Sequence, residues 1–427
     1  MQNRVQKKKK ISLTTMIFIA LLAGALAGVI INYLIPSNYV VDDIIVQGVF
    51  YIVGQGFIRL MRMLVVPLVF CSIVCGSMAV GDTKKLGSVG VKTLIFYLCT
   101  TALAITVALS IANIFNPGKG LDMSQIQVTS TVSETTQSMS MTETLLDIIP
   151  VNIFNSLSKE NMLQIIVFAL ILGVILANMG DRVDIVKNFF GQFNDIMMEM
   201  TMAVMKLAPI GVFCLIAKTF AEIGFEVFIP LLKYMFCVLL ALAVQCFVVY
   251  LGLLKIFSGL NPFIFIKNFF PVMAFAFSTS TSNATISMNI DTLAEKMGVS
   301  KKISSFTIPL GATINMDGTS IMQGVAVVFT AQAFGIPLDM MDYLTVIGTA
   351  TLASIGTAGV PSVGLITLTM VFNSVGLPIE GIALIMGIDR ILDMTRTAVN
   401  ITGDAVCTTI VASWNKAVDR DVYYRRK

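Results

Sequence analysis

Five residues share one predicted helix face inside an otherwise apolar stretch: Asp389, Asp393, Arg396, Asn400 and Asp404, at offsets of 0, 4, 7, 11 and 15. At 100° per residue they fall within a stripe about 80° wide. The surrounding residues 379–414 are mostly Ile, Leu, Val, Met, Ala, Gly and Thr. A charge at the centre of a bilayer costs about 2.5–3.5 kcal/mol on insertion scales. Three carboxylates, a guanidinium and an amide at that depth need a partner, and a polar solute or ion that comes and goes would supply one.

Three further segments carry polarity where grease is expected. Residues 315–319 read NMDGT, and Asn, Asp and Gly disfavour helix and suit turns. An unwound stretch there frees backbone carbonyls beside the Asp317 carboxylate, a set of hard oxygen donors suited to Na⁺ and similar cations. Residues 278–285 read STSTSNAT and residues 354–364 read SIGTAGVPSVG. Both are too rich in Ser and Thr, or in Gly and Pro, for the centre of a plain transmembrane helix. Hydroxyls bonding back to their own helix, or glycines serving close packing, are the bland alternatives. Two such clusters in segments of opposite polarity favour function.

The elements that must hold these residues follow from composition. Of 427 residues 56% are hydrophobic and 13% charged, where a soluble domain has roughly 25% charged. Mean hydropathy is +0.86. Apolar runs at 11–35, 89–115, 162–177 and 231–254 reach or approach the ~20 residues that cross a bilayer. They do not alternate, so the class is polytopic α-helical and not a β-barrel. The basic residues 4–10 precede a 25-residue run without a small-residue cleavage site, which reads as a retained first span. Seven cysteines lie in apolar stretches with no CxxC and no histidine anywhere, and read as small buried hydrophobes. The net charge of +4 gives no sign of nucleic-acid binding.

Basic clusters at 4–10, Lys84 and Lys85, Lys301 and Lys302, and 425–427 alternate with acidic or uncharged stretches at Asp42 and Asp43, 124–144, 222–226, 339–342 and Glu380. The positive-inside rule places the first group, and both termini, in the cytoplasm. Spans are expected near 11–35, 45–80, 88–116, 145–179, 188–222, 226–257, 300–335 and 378–415. Segments 262–293 and 337–375 each begin and end on one side, so they read as re-entrant hairpins. Their non-helical tips are tolerated where protein or a watery cavity surrounds them.

These motifs, NMDGT at 315–319, SIGTAGVP at 354–361 and DRILDMTRTAVNITGD at 389–404, resemble those of the dicarboxylate/amino acid:cation symporters, the family of glutamate and aspartate transporters. The resemblance covers the whole chain and is strongest from residue 262 onward. It implies an all-α fold of eight transmembrane helices and two re-entrant hairpins with inverted repeats, assembled as a homotrimer in the inner (plasma) membrane. It implies scaffold spans in 1–87 and 121–225, the latter with an outer loop. It implies a transport part made of span 3 (88–120) and a core at 226–427 holding both hairpins, which moves like an elevator. The outer hairpin would be the extracellular gate.

Carried over by matching position, Asp393 would hold the substrate ammonium and Arg396 its side-chain carboxylate. Thr319, Thr397 and Asn400, with Ser282, Asn283, Gly359 and Val360 at the hairpin tips, would complete the substrate site. One sodium site would comprise Gly311, Asn315, Asn400 and Asp404, and a second Thr313, Met316, Ser354, Ile355 and Thr357. A third would comprise Tyr97, Thr100, Thr101, Asn315 and Asp317. Asn283 replaces a serine, and Ser287 a proline, common in relatives.

Physical chemistry bears on substrate choice. An acidic amino acid brings an ammonium for Asp393 and a carboxylate for the planar fork of Arg396. A C4-dicarboxylate has no ammonium, so Asp393 favours amino acids, and Arg396 favours acidic over neutral ones. Sodium is the expected coupling ion, with protons as the alternative: no histidine shuttle exists, and Gln323 stands where proton-carrying relatives have Glu. Other rivals are a proton-coupled glutamate or C4-dicarboxylate carrier, a neutral amino acid carrier and a channel-like anion conductance. An intramembrane aspartyl protease lacks its YD and GxGD contexts, so the chain is not expected to be an enzyme.

Overall fold

The computed structural model describes residues 13–81, 88–121, 149–159, 161–224, 228–355 and 363–425. Among them the fold is helical throughout, and the one extended pairing is a single antiparallel bridge between Val299 and Val418. In lipid every backbone polar group must be satisfied internally, and helices do this within one segment. The expected basic clusters at residues 4–10 and at Lys84 and Lys85, and the loop 124–144, lie outside the described residues.

Helix α1 (Leu13–Leu34) is followed by a π-helical stretch, Val40–Phe50, that runs into α2 (Tyr51–Gly81). Next come α3 (Ser88–Phe115), the short α4 (Ile153–Ser158), α5 (Met162–Met179), α6 (Asp184–Met205) and α7 (Ala208–Ile223). Helix α8 (Phe228–Ala243) continues through a π-helical turn, Val244–Tyr250, into α9 (Leu251–Ser258). Asp42 and Asp43 lie inside the first π-helical stretch and not in a loop. The expected span 188–222 is broken at Lys206 and Leu207 into α6 and α7. Pro209, at the start of α7, has no N–H to continue the α6 ladder.

The first hairpin is α10 (Pro262–Thr279) and α11 (Ser282–Met297), four residues longer than the 262–293 read from sequence. Its tip is Ser280 and Thr281 alone, and Ser280 turns the chain in the left-handed region (φ 51°). Asn261 caps α10 through its side chain, with Pro262 at the first helical position. Then follow α12 (Lys301–Ile314) and α13 (Asp317–Ala333). The second hairpin is α14 (Met340–Ser354), opened by an Asp339–Asp342 capping box, and α15 (Val363–Ser374). Helix α16 (Gly381–Trp414), 34 residues long, carries the polar stripe. A short α17 (Arg420–Tyr424) ends the described chain. Glu380, read as part of an outer loop, is buried at the start of α16.

Among the described residues six stretches are long and apolar enough to cross a membrane: Thr15–Leu34, Val40–Met78, Val89–Phe115, Gln164–Met205, Phe228–Ser258 and Pro262–Thr279. Large hydrophobics such as Leu22, Leu26, Phe236, Phe247, Val248 and Phe263 face outward, as a lipid-facing surface requires. α1 packs along α7, and α2 against α5, α6 and α7. A second set packs around α16: α10, α11, α12, α13, α8 and α9, with α3 against α13. The chain end fastens the base of the first hairpin. Asp419 N–H donates to Gly298 O (2.8 Å), and Tyr423, fully buried, donates its hydroxyl to Asn261 O (2.9 Å). Those two acceptors flank the two ends of the hairpin.

Candidate functional site

All five stripe residues of α16 are buried. They divide between two clusters along the helix. In the first, Arg396 donates from Nη1 to Asp389 Oδ1 (2.7 Å) and from Nη2 to Asp393 Oδ1 (2.9 Å). Sequence reading paired Arg396 with Asp393 at i,i+3; the structure adds Asp389 two turns upstream. Arg396 is 1% exposed, and its Nε–H, also buried, has no acceptor among the described residues. Thr319 borders this cluster. Gly364 of α15 lies against Thr319 and Met322, and a methyl group on it would stand 3.6 Å from Arg396 Nη2. The second hairpin thus reaches the guanidinium. Thr397 donates its hydroxyl back to Asp393 O and does not point at another helix. At the first hairpin tip Ser282 is buried and Asn283 exposed. Gly359, Val360 and Thr357 lie outside the described residues.

The second cluster forms where α12 stops. The break is narrower than the NMDGT run: Asn315 and Met316 alone leave helical geometry, and Asp317 already opens α13. A carboxylate in the first turn is favoured by the free N–H groups and the positive end of the helix dipole. Asn315 bridges the helices, donating from Nδ2 to Asp404 Oδ1 (2.9 Å) and to Asn400 O (3.2 Å). Gly318 N–H donates to Asn400 Oδ1 (2.7 Å), and Asn400 Nδ2 donates to Met316 Sδ (3.3 Å). These bonds demand close approach of α13 to α16. A methyl group on Gly318 would lie 2.8 Å from Arg396 O. At Gly311 a methyl group would overlap the Asp404 carboxylate and the Tyr97 hydroxyl, so only glycine fits.

Asp317, fully buried, accepts three side-chain hydrogen bonds. Thr101 Oγ1 donates to Oδ1 (2.6 Å), and Gln245 Nε2 (3.0 Å) and Tyr250 OH (2.7 Å) both donate to Oδ2. Tyr97 donates to Thr307 O (3.2 Å), and Thr100 and Thr101 donate back to Tyr97 O. The structure therefore sets two of the expected ion-binding sets, those around Asp404 and Asp317, side by side: Gly403 has both Asn315 Nδ2 and the Tyr250 hydroxyl against it, and Gly311 both Asp404 and the Tyr97 hydroxyl. The other set is not assembled in this way: Thr313 and Ser354 hydroxyls each donate back to their own helix, to Leu310 O and Thr351 O.

Sequence reasoning missed Gln245 and Tyr250. Their signal was faint: two polar groups in a long apolar run, spaced as neither an α-helical nor a strand face. Two oxygens of this cluster, Asn315 Oδ1 and Gln245 Oε1, are buried with no hydrogen-bond donor among the described residues. Buried acceptors are nearly always satisfied. Idle oxygens beside two buried carboxylates suit a hard cation.

A model of the sodium:dicarboxylate symporter family matches residues 13–414. The chain is 39% identical to the proton/sodium-glutamate symport protein of Bacillus caldotenax over 411 residues, 95% of each chain. It is 36% identical to the proton/glutamate-aspartate symporter of Escherichia coli (strain K12), over 97% of this chain and 95% of that one. It is 33% identical to C4-dicarboxylate transport protein 1 of Ralstonia nicotianae, over 86% of each.

Proposed function

The chain belongs to the sodium:dicarboxylate symporter family, a family of membrane symporters and not of enzymes, and from that premise we propose that it takes up acidic amino acids, L-glutamate or L-aspartate, together with a cation. The observation that carries this reading is the pair of complementary clusters on α16. One holds an idle N–H donor on a guanidinium, and the other holds idle oxygens beside two carboxylates.

An acidic amino acid fits the first cluster through differential pairing. Its ammonium draws Asp393 away from Arg396, and its side-chain carboxylate takes the vacated Nη2 and the idle Nε–H. Asp389 keeps its hold on Nη1 and so fixes the plane of the fork. The second carboxylate is received by N–H groups at the start of α11, near Ser282 and Asn283. Thr319 and Asn400 close the pocket, and Gly359 and Val360, outside the described residues, are the proposed contacts from the second hairpin. A succinate-like substrate would leave Asp393 without an ammonium, which disfavours the C4-dicarboxylate alternative.

Sodium is the proposed coupling ion, held by Asp317, Asp404, Asn315 and the threonine and tyrosine oxygens around them. Ordering these oxygens fixes the Asn400–Gly318 contact beside Arg396, so that filling the ion site prepares the substrate site. Proton coupling is the second reading, supported by the proton in the names of the Bacillus and Escherichia relatives. In this reading the chain divides into a scaffold, which would form the trimer, and a transport part, which would carry both clusters across the membrane. Both termini would face the cytoplasm, with the protein in the cell's inner membrane.

The test is uptake of labelled L-aspartate and L-glutamate into proteoliposomes. An inward Na⁺ gradient at fixed pH should drive concentrative uptake that saturates and shows counterflow. Concentrative uptake under a pH gradient alone would replace sodium by protons. Absence of counterflow would favour a channel.

A further inference from the structure

Resting on the cation-symport reading, we propose that Gln245 is an oxygen ligand of the coupling cation and that Tyr250 positions Asp317 for it, both delivered by the π-helical turn Val244–Tyr250. The winding is the first argument. In an α-helix residues five apart diverge by roughly 140°, so Gln245 and Tyr250 could not both reach one atom. A π-helix closes i→i+5 hydrogen bonds and brings such residues onto one face. Here both donate to the same oxygen, Asp317 Oδ2. The winding here turns the two polar side chains of an apolar run toward one carboxylate.

The second argument is the orientation of the Gln245 amide. Nε2 donates to Asp317 Oδ2 (3.0 Å) and to Thr100 O (3.4 Å). Turning the amide over would set its oxygen against a carboxylate and a carbonyl, so the hydrogen-bond network fixes which end is which. Oε1 is then left buried, with no donor among the described residues, on a side chain with no exposure. An amide kept only to fasten α8 and α9 to α13 would waste that acceptor in a dry interior. Asn315 repeats the pattern: its Nδ2 is spent on Asp404 and Asn400, and its Oδ1 is idle. Two idle amide oxygens, each on an amide bonded through its nitrogen to one of two buried carboxylates, are donors of the kind a small hard cation takes. Tyr250 and Thr101 leave Asp317 no freedom to rotate away from it.

The test is the thermal-unfolding midpoint of the purified full chain, titrated with NaCl against choline chloride at constant ionic strength and pH, without substrate. Gln245→Met keeps length and removes the oxygen; its Na⁺ half-saturation should rise at least tenfold. Tyr250→Phe keeps the ring; it should rise about threefold and, as the milder change, decides the matter if Gln245→Met does not fold. A structural role for either residue would lower the midpoint without Na⁺ and leave half-saturation in place. Curves that superimpose on wild type in half-saturation overturn the proposal while the sodium reading stands. A wild type that L-aspartate stabilises and Na⁺ does not overturns both.

Discussion

The two polar clusters of α16 lie within four helical turns of each other, yet their buried carboxylates are met in different ways, by a guanidinium in one and by neutral groups in the other. Around Arg396 both carboxylates face a guanidinium, whose Nε–H has no acceptor among the described residues. Around Asp317 and Asp404 the hydrogen bonds come from neutral amides and hydroxyls, and the idle groups are acceptors. A site short of an acceptor selects an anion, and a site short of a positive charge selects a cation. Burial sharpens both demands, because an interior of low effective dielectric strengthens every unmet interaction. In the proposed reading one helix thus serves two ligands of opposite charge without either site neutralising the other.

The largest expected effect breaks the first cluster alone. Arg396→Cys should abolish uptake of L-aspartate and L-glutamate and admit a neutral amino acid such as serine. Truncating a buried charged partner costs about 2–5 kcal/mol, or roughly 30-fold and more in affinity. Uptake of L-aspartate at wild-type affinity by this variant would sink the substrate assignment. Asp404→Asn should break the other cluster alone. It keeps the shape and removes the charge, so the Na⁺ concentration for half-maximal uptake should rise about tenfold, the equivalent of ~1.4 kcal/mol. The ranking of amino-acid substrates should not change, and a switch in that ranking would argue against two separable sites.

Gly318→Ala addresses what the clusters share. The added methyl, 2.8 Å from Arg396 O, forces α13 away from α16. Overpacking of this kind costs about 1–3 kcal/mol. Half-saturation for L-aspartate and for Na⁺ should both rise, and a change in one alone would show the clusters to be less coupled than their common contact implies. Tyr423→Phe, smallest in effect, removes one buried hydrogen bond at the base of the first hairpin, worth about 1 kcal/mol. It should lower the thermal midpoint slightly and leave both affinities in place. A selective loss of substrate affinity would mean that the chain end acts on the first cluster.

Much of this was legible in the sequence because hydropathy contrast is a local property. Asp389, Asp393, Arg396, Asn400 and Asp404 announce themselves by their cost in an apolar run, and the two hairpins by tips that no membrane-crossing helix would keep. Asn315 and Asp317 stood out as turn formers inside a span, although the break proved to be two residues and not five. What the sequence could not state is which idle atom faces which helix. Gln245 lies 72 residues from Asp317, and its spacing from Tyr250 looks meaningless until the chain is wound with five residues per hydrogen-bonded step. The bond from Asn315 to Asp404, the three donors converging on Asp317, and the idle amide oxygens beside these carboxylates arise only when separate helices close on one another. Residue types and their periodicity determined that charge would be buried; the tertiary structure decided what that charge still lacks.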